Sequence, residues 1–323
     1  MMDADTDSGA MMPLRIATIV QAALDIRAFE LVHPDGKELP PFTPGSHVKV
    51  QVPNGELRKY SLCNAPSQRD RYVITVKRDA QGRGGSVSLV DQARPGDTLP
   101  TSAPDNAFPL VENPGNLVFI AGGIGITPIL SMIRSLEETQ ETPWKLYYLS
   151  QAAEATAYLE ELSAPELKSR VRIHHDHGNP LDAFDLWPVL EKPNKGHVYC
   201  CGPRGLMEAV RDMSGHWSPA RIHFESFLEG GGVQPDDRPF TVALAQSGRE
   251  FQVPVGKSIL NVLRDNGVKV GFSCESGTCG SCRTRLLEGS VDHRDMVLMP
   301  EEQACQIMVC VSRAEGDRIV LDL

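Results

Sequence analysis

The sequence contains no apolar run that approaches 18 residues, and its acidic residues outnumber its basic ones. The first absence excludes a membrane-spanning helix. The second gives a net charge of −10 over 323 residues, which argues against nucleic acid as a partner. The acidic start of the chain also lacks the basic and apolar regions of a signal peptide. We therefore expect a cytoplasmic protein with a frayed N-terminal tail.

Internal repeats are absent, and so is any Ser/His/Asp or paired-carboxylate arrangement with a clear catalytic role. The G-x-G-x-x-G dinucleotide fingerprint is missing as well. The composition is otherwise that of a globular protein, with 41% hydrophobic and 23% charged residues, and the length suits two or three domains. The chemistry must therefore be sought in other motifs.

Cysteines near the C-terminus form the most informative pattern. Three of them follow the spacing C-x4-C-x2-C and a fourth comes much later, which is the ligand pattern of a plant-type [2Fe–2S] ferredoxin. The predicted ligands are Cys274, Cys279, Cys282 and Cys310. Gly277 and Gly280 would let the backbone approach the cluster closely. A structural zinc site remains the alternative, although it more often shows paired C-x2-C knuckles. Cys305 breaks the spacing and is interpreted as an ordinary side chain.

Three segments differ in pattern. Residues 12–110 alternate short β-type runs with Pro/Gly turns, which indicates an antiparallel β-barrel. Residues 111–228 alternate apolar strands with helical stretches, including one at Glu154–Leu162, which is typical of a doubly wound α/β domain. Residues 229–236 are rich in glycine and predict a linker. Residues 237–323 hold the cysteines and predict a compact α+β, ferredoxin-like (β-grasp) domain.

The first segment contains a candidate flavin motif, Arg58-Lys59-Tyr60-Ser61, on a predicted strand. Arginine suits a phosphate, tyrosine a ring, and a serine hydroxyl a heterocyclic nitrogen. Gly82-Arg83-Gly84-Gly85-Ser86 then precedes a helical run, and free amides at a helix start bind anions. Taken singly, the first stretch is better explained as an exposed strand and the second as a glycine turn with an exposed arginine.

The second segment carries two glycine turns that each join a strand to a helix, 122–128 and 201–203. Thr127 is predicted to cap the first helix and Pro128 to begin it. In a doubly wound sheet both turns fall at the carboxyl edge, where ligands bind. Tight-turn packing is the alternative, but two such turns at one edge favour a nucleotide. Ser150 and Gln151, after a predicted strand, are neutral, which favours NADH over NADPH; Arg204 could approach from the other turn.

Together these motifs resemble the ferredoxin–NADP reductase superfamily fused to a plant-type ferredoxin, in the domain order of the phthalate dioxygenase reductases. The resemblance covers nearly all of residues 12–323. It implies that the flavin is FMN and that Ser61, Cys201 and Phe227 lie at the reacting centre. It further implies cofactor contacts from Arg58, Lys59, Tyr60, Ser61, Thr75, Val76, Lys77, Gly84, Gly85, Ser86, Gly122, Gly123, Thr127, Cys201, Gly202, Pro203 and Phe227. Without the resemblance, Phe227 would be interpreted as a core residue.

The resemblance implies an NADH-dependent oxidoreductase. NADH would reduce FMN, the [2Fe–2S] cluster would take electrons singly, and a separate Rieske-type aromatic-ring oxygenase would receive them. We expect a monomer that binds neither membrane nor nucleic acid. The alternative function is a redox-sensing regulatory module, which would lack a working hydride path. The substrate of the partner oxygenase is not encoded in this chain.

Overall fold

The computed structural model describes residues 11–140, 142–193, 195–227, 234 and 236–323. The predicted N-terminal tail and most of the predicted linker lie outside this range. The chain divides into two compact units, Met1–His223 and Phe224–Leu323. None of the helices within the described residues combines the length and apolarity that crossing a bilayer requires.

The first unit begins with an antiparallel barrel, as predicted. Its sheet order is β4-β3-β6-β1-β2-β5. Closure comes from an antiparallel bridge between Leu62 and Ile74 and from the Cys63 N–H, which donates to the Val73 carbonyl at 2.8 Å. The elements are β1 (Met12–Ala23), β2 (Ile26–Val32), β3 (His47–Gln51), β4 (Leu57–Ser61), β5 (Arg71–Lys77), helix α1 (Gly85–Gln92) and β6 (Thr98–Thr101).

Alternation along the barrel strands places one face of each in the core. In β5, Tyr72, Ile74 and Val76 are almost fully buried. Burial of such side chains contributes roughly 1.5–3 kcal/mol each. Thr75, on the other face of the strand, is buried as well, whereas Lys77 at the strand end is exposed.

The same unit continues into a parallel sheet, which confirms the predicted doubly wound domain. Its order is β11-β10-β7-β8-β9, so the strand order reverses between β7 and β10, where ligands bind in such sheets. The strands are β7 (Leu117–Gly122), β8 (Trp144–Ser150), β9 (Val171–His175), β10 (His197–Cys201) and β11 (Ile222–Glu225), and the helices are α2 (Ile126–Thr139), α3 (Leu159–Leu162), α4 (Trp187–Leu190) and α5 (Arg204–Met213).

Two local predictions in this sheet were wrong. Thr127 does not cap α2, because a 3-10 turn (Gly123–Gly125) precedes the helix and Gly125 is the cap. The Thr127 hydroxyl instead donates to the Ile124 carbonyl at 3.0 Å. The helical stretch 154–162 is also interrupted, since Tyr158 adopts a left-handed φ of 60° and α3 begins only after it.

The second unit is the predicted α+β domain. Its main sheet has the order β13-β12-β18-β14-β16, and β15 pairs with β17. Helix α6 begins at a capping box formed by Ser258 and Asn261, as the S/T-x-x pattern before an apolar run favours. The elements are β12 (Phe240–Leu244), β13 (Glu250–Val253), α6 (Ile259–Asp265), β14 (Arg283–Glu288), β15 (Val291–Asp292), α7 (Pro300–Gln303), β16 (Gln306–Met308), β17 (Arg313–Ala314) and β18 (Arg318–Leu321).

Candidate functional site

Strand β4 carries the predicted flavin motif on the barrel. Arg58 pairs across to Val50, Tyr60 to Val48 and Ser61 to His47. Burial raises the pKa of Tyr60 to about 12, against the lowering effect of the Arg58 charge. The buried Tyr60 hydroxyl has no hydrogen-bond partner among the described residues. A buried polar group without a partner is costly, so this hydroxyl is placed to bind an additional polar group.

The start of helix α1 lies beside that motif. Gly84 caps the helix with φ 84°, no side chain in the described chain caps it, and its first turn holds no acidic residue. Free amides and the helix dipole therefore favour an anion here. A Cβ on Gly85 would lie 2.5 Å from Nε of Arg58, so the arginine packs directly against the helix start. The Ser86 hydroxyl accepts a hydrogen bond from the Asp79 N–H at 3.1 Å.

These residues fit a flavin that ends in one phosphate. The side chain of Arg58 lies against the helix start at Gly85, and its charge acts on the Tyr60 hydroxyl. Arg58 is also ion-paired with Glu56, which faces solvent more than its partner does. A phosphate would be bound by a charge-assisted fork and by helix amides.

The three predicted flavin contacts on strand β5 differ in how far their side chains are buried. Thr75 is buried, and its hydroxyl is hydrogen-bonded to the hydroxyl of Tyr158. Val76 lies in the barrel core, so only its backbone faces outward. Lys77 is exposed at the strand end. Lys59, in β4, is half-buried and has interactions of its own.

The two glycine turns of the parallel sheet pack against each other. A Cβ on Gly122 would lie 2.6 Å from Cδ of Pro203, and a Cβ on Gly202 would lie 2.9 Å from Cα of Gly122. A Cβ on Gly125 would lie 2.1 Å from the carbonyl oxygen of Cys201. Tight-turn packing therefore accounts for these three glycines. It also brings two helix starts together at the switch point of the sheet.

Gly123 differs from its neighbours. Its φ is +53°, and a Cβ there would meet nothing within 4 Å, so the turn is open on that side. Helix α2 starts directly after it, without an acidic residue in its first turn. Thr127 and Cys201 are buried in the same region. The open turn at two neighbouring helix starts suits the diphosphate of a dinucleotide.

The side chains that would discriminate between NADH and NADPH lie at the end of β8 and directly after it. Ser150 is buried and shares a hydrogen bond of 2.7 Å with Thr156, while Gln151 is exposed. Arg204 is engaged by Glu208, with Nε 2.7 Å from the carboxylate. Phe227 belongs to the second unit, where 46% of its side chain is exposed. That exposure is unlike a core residue.

In the second unit the cysteine loop and the segment after β16 place the four thiols as two pairs, and no group of three or more ligand side chains within the described residues is arranged around one metal ion. Cys279 is hydrogen-bonded to Cys274, and Cys310 to Cys282. A hydrogen bond from Cys279 lowers the pKa of Cys274, and one from Cys310 lowers the pKa of Cys282, in both cases against the effect of burial. A [2Fe–2S] cluster needs two thiolates for each iron, and the pairing matches that requirement.

The loop backbone is shaped for such a group. Gly277 and Gly280 adopt φ values of 76° and 82°, which glycine reaches without strain. The Ser276 N–H lies 3.4 Å from the sulfur of Cys274, and the Gly277 backbone lies in hydrogen-bond contact with Cys310. Cys305, in contrast, is exposed, and its thiol donates to the Glu302 carbonyl at 3.7 Å. Hydrogen bonds to cluster sulfurs tune the reduction potential.

Sequence reasoning missed two side chains of the first unit. Arg134 of α2 and Tyr158 before α3 both contact the barrel near the flavin motif. Nothing in the local sequence marks them, since a helical arginine and a tyrosine before a Leu-Glu-Glu-Leu stretch are ordinary. The one indication of their role is the break in the predicted helix at Tyr158, and that break is evident only in the backbone structure.

Comparisons with known proteins agree with this architecture. Residues 242–315 match the 2Fe-2S iron-sulfur cluster binding domain, and residues 119–212 match the oxidoreductase NAD-binding domain. The chain is 56% identical over 311 residues to the phthalate 4,5-dioxygenase oxygenase reductase subunit of Pseudomonas putida, covering 96% of each chain. It is 52% identical over 311 residues to the phthalate dioxygenase reductase of Burkholderia cepacia, covering 96% of this chain and 97% of the other.

A solved structure extends the likeness to three dimensions. A phthalate dioxygenase reductase, described as a modular structure for electron transfer from pyridine nucleotides to [2Fe–2S], superposes with a TM-score of 0.72 at 51% identity. The alignment covers 97% of this chain and 98% of that one. The similarity therefore extends over both units.

Proposed function

The chain belongs to the phthalate dioxygenase reductase family, and from that membership we propose that it is the reductase component of a Rieske-type aromatic-ring oxygenase. The family makes it an oxidoreductase with an NAD-binding domain and a [2Fe–2S] domain. Its cofactors are those of the family: FMN, a [2Fe–2S] cluster and NADH. The oxygenase is a separate protein, of the kind that acts on phthalate-like aromatic acids.

When bound, FMN and the cluster would supply the redox chemistry, namely acceptance of a hydride from NADH and release of its electrons singly. This chain's residues bind and orient them. Arg58, the amides after Gly84 and the Tyr60 hydroxyl would hold the flavin phosphate and its polar chain. Ser61 would face the ring, and the turn at Gly123 would hold the nucleotide diphosphate.

The second unit would bind the cluster through Cys274, Cys279, Cys282 and Cys310. Phe227 would cover the flavin ring, for which its exposed side chain is suited. Cys201 and Pro203 would contribute through their backbone and ring at the second turn, because Cys201 is buried. Each of these assignments is a proposal about a residue whose surroundings fit the role.

One observation carries the proposal. A single compact unit holds both a proposed phosphate site on the barrel, formed by Arg58 and the helix start at Gly85, and an open glycine turn at Gly123. That turn lies at the switch point of the parallel sheet. That combination supports hydride transfer between two nucleotide-like cofactors. A redox sensor without a hydride path would have no use for it.

The test is NADH oxidation by the FMN- and cluster-loaded protein. We expect rapid reduction of ferricyanide, efficient reduction of cytochrome c, and turnover of a phthalate-type oxygenase. A loaded protein that binds both cofactors yet fails to reduce ferricyanide with NADH would support the sensor instead. Turnover of an oxygenase without the reductase would show that the electrons come from elsewhere.

We also propose the domain division 12–110, 111–228, 229–236 and 237–323, and a monomeric protein. A chain that ends at Phe227 should fold, bind FMN and reduce ferricyanide, but not drive an oxygenase. The piece 237–323 should bind a cluster without oxidising NADH. Sedimentation analysis of the whole protein checks the monomer. Full-rate oxygenase turnover by the shortened chain would contradict the proposed electron order.

A further inference from the structure

Arg134, on helix α2, is bound on three sides. Its Nη1 donates to the Cys63 carbonyl at 2.8 Å. Its Nε and Nη2 donate to the two carboxylate oxygens of Glu161 at 2.9 and 2.6 Å. Its guanidinium also lies over the ring of Tyr158, 5.2 Å from the centroid. A planar fork held in this way is oriented far more firmly than an ordinary surface arginine.

Tyr158 completes the cluster from the other side. Its hydroxyl is hydrogen-bonded to Thr75 in β5, and the thiol of Cys63 lies 3.5 Å from the same Thr75 hydroxyl. The residue holds a left-handed φ of 60°, which a tyrosine adopts at a cost. The strained backbone allows the Tyr158 side chain to contact Thr75 and Arg134. Arg134, Tyr158, Glu161, Cys63 and Thr75 form what we call the domain clamp.

The domain clamp joins the two proposed cofactor positions through rigid elements. Arg134 lies eight residues along α2 from Ile126, at which the helix leaves the nucleotide turn, a distance of about 12 Å along the axis. Cys63 is two residues beyond Ser61, the proposed contact of the flavin ring. Ser131 of the same helix adds a bond to the Asn64 carbonyl at 2.9 Å.

A second contact joins the barrel to the segment after β8, where the nucleotide ribose would bind. The Leu24 N–H of the barrel donates to the Glu154 carbonyl at 2.6 Å. Tyr158, four residues later, makes the contact with β5. The barrel side of this joint is also apolar, since Ile26 and Cys63 are buried in the same core cluster as strands β7 and β8.

We infer that Arg134 and Tyr158 are positioning residues for hydride transfer, which hold the flavin strands at a fixed distance and angle from the nucleotide turn. The inference rests on the proposed function, because it assumes a flavin on the barrel and NADH at the sheet edge. Neither side chain has to touch a cofactor. Hydride transfer depends steeply on the approach of two atoms, and a misplacement of about 1 Å costs on the order of a hundred-fold in rate.

The chain offers a matched control in Arg170, directly before β9, whose partner Glu137 lies one turn along α2 from Arg134. Arg170 donates to both carboxylate oxygens of Glu137, with 2.9 Å for the Nη2 bond, and lies over the ring of Trp144 at 4.6 Å. It therefore makes the same fork and the same ring contact as Arg134, but its described contacts are all within the parallel-sheet domain. Arg134→Gln and Arg170→Gln remove comparable interactions and differ in the joint to the barrel.

The experiment uses the full-length loaded protein and anaerobic rapid mixing. For Arg134→Gln we expect the flavin reduction rate at saturating NADH to fall by on the order of ten- to a hundred-fold, with bound FMN and NADH affinity nearly unchanged. The long-wavelength absorbance of the NADH–flavin complex should weaken. Arg170→Gln should keep both the rate and the absorbance. Arg134→Lys, which can still reach the Cys63 carbonyl, should recover part of the loss.

A readout independent of turnover separates positioning from stability. Amide hydrogen exchange in 61–67 and 151–158 should accelerate in Arg134→Gln and in Tyr158→Phe, but not in Arg170→Gln. If the two arginine variants lose rate in parallel with thermal stability, or if Arg134→Gln loses rate only by losing FMN, the inference is overturned. Unaltered saturating rates in both Arg134→Gln and Tyr158→Phe would also overturn it.

The proposed function fails in a different way. If the wild-type protein, loaded with FMN, is not reduced by NADH at all, the reductase assignment is wrong whatever the variants do. If the wild type is reduced rapidly and the variants equal it, the reductase assignment stands and the domain clamp has no positioning role.

Discussion

The guanidinium of Arg58 packs against the α-carbon of Gly85, so closely that a methyl group there would lie 2.5 Å from Nε and 2.8 Å from Cγ. Gly85 comes 27 positions after Arg58 in the sequence, and the fold brings this strand residue and this helix start together at the proposed phosphate site. The site needs both residues, because the arginine supplies charge and the glycine supplies the room in which the charge meets the helix amides.

Gly85→Ala should therefore weaken FMN binding. Alanine favours a helix more than glycine does, so a loss cannot be attributed to helix propensity; it would come from displacement of Arg58. We expect roughly ten-fold weaker FMN binding, the equivalent of about 1.4 kcal/mol, measured by fluorescence titration of the apoprotein. Gly316→Ala, at a position with nothing within 4 Å of a Cβ, is the control and should bind FMN normally.

Arg58→Ala should weaken FMN more than Gly85→Ala does, because it removes the charge. Hydrogen bonds to charged groups contribute about 1.5–3 kcal/mol, so roughly ten- to a hundred-fold weaker binding is expected. Glu56→Gln removes only the carboxylate that pairs with Arg58 and should bind FMN at least as tightly as the wild type. Equal loss in both variants would show that the ion pair itself, and not a phosphate contact, is what the flavin needs.

Replacing any of Cys274, Cys279, Cys282 or Cys310 by serine should bleach the iron–sulfur absorption and leave FMN bound. The reason is that each iron needs two thiolates, and the four thiols lie in two pairs. Cys305→Ser is the internal control, since that thiol is exposed and bonded to a carbonyl. Loss of the cluster in Cys305→Ser with retention in Cys310→Ser would refute the ligand set.

NADH should be used in preference to NADPH, measured as the ratio of the two kcat/KM values. Ser150 at the end of β8 and Gln151 after it are neutral, and Arg204 is occupied by Glu208. Gln151→Arg should raise kcat/KM for NADPH by roughly ten-fold, because a charged hydrogen bond contributes about 1.5–3 kcal/mol. Gln246→Arg adds the same charge in the other unit and should change nothing. Comparable wild-type values for the two nucleotides would contradict the preference.

The second unit should lose stability in acid through Asp237. Burial opposes ionisation there, but hydrogen bonds from Arg294 and the Gln234 N–H, with the charges of Arg294 and Arg313, hold the pKa of Asp237 below its usual value. Arg294 Nη2 lies 2.6 Å from the Asp237 carboxylate, and both side chains are buried. Because the folded pKa is lowered, the stabilisation is present above about pH 4 and is lost as the pH falls through the folded pKa.

Asp237→Asn should accordingly destabilise this unit at neutral pH by about 3–5 kcal/mol, the cost of breaking a buried pair, and should flatten the acid limb of the stability profile. Denaturant unfolding followed by the iron–sulfur absorption measures both. Asp265→Asn breaks an exposed pair with Lys257 and should cost about 1 kcal/mol or less. A wild-type acid limb preserved in Asp237→Asn would mean that another carboxylate causes it.

Local pattern predicted much of the fold correctly. The antiparallel barrel, the parallel sheet and the α+β domain follow in the predicted order, because strand alternation and the succession of apolar strands and helices are local patterns. The predicted cap at Thr127 was wrong, because a 3-10 turn precedes α2 and the cap is Gly125, which packs against the Cys201 carbonyl. The predicted helix 154–162 was broken because Tyr158 turns toward the barrel, a contact with a strand some eighty residues away.

The sequence by itself determined which short motifs could bind the cofactors. The spacing Cys274 to Cys282 within one loop, the strand residues around Arg58, and the glycine turn before α2 are all local, and local patterns are short enough to be interpreted from residue types. Tertiary structure alone decided which of them meet. Three contacts join residues that are far apart in the chain: Cys310 pairs with Cys282, Arg58 packs on Gly85, and Arg134 donates a hydrogen bond to the Cys63 carbonyl. Such contacts depend on closing long loops around a shared core, and no local preference encodes the outcome.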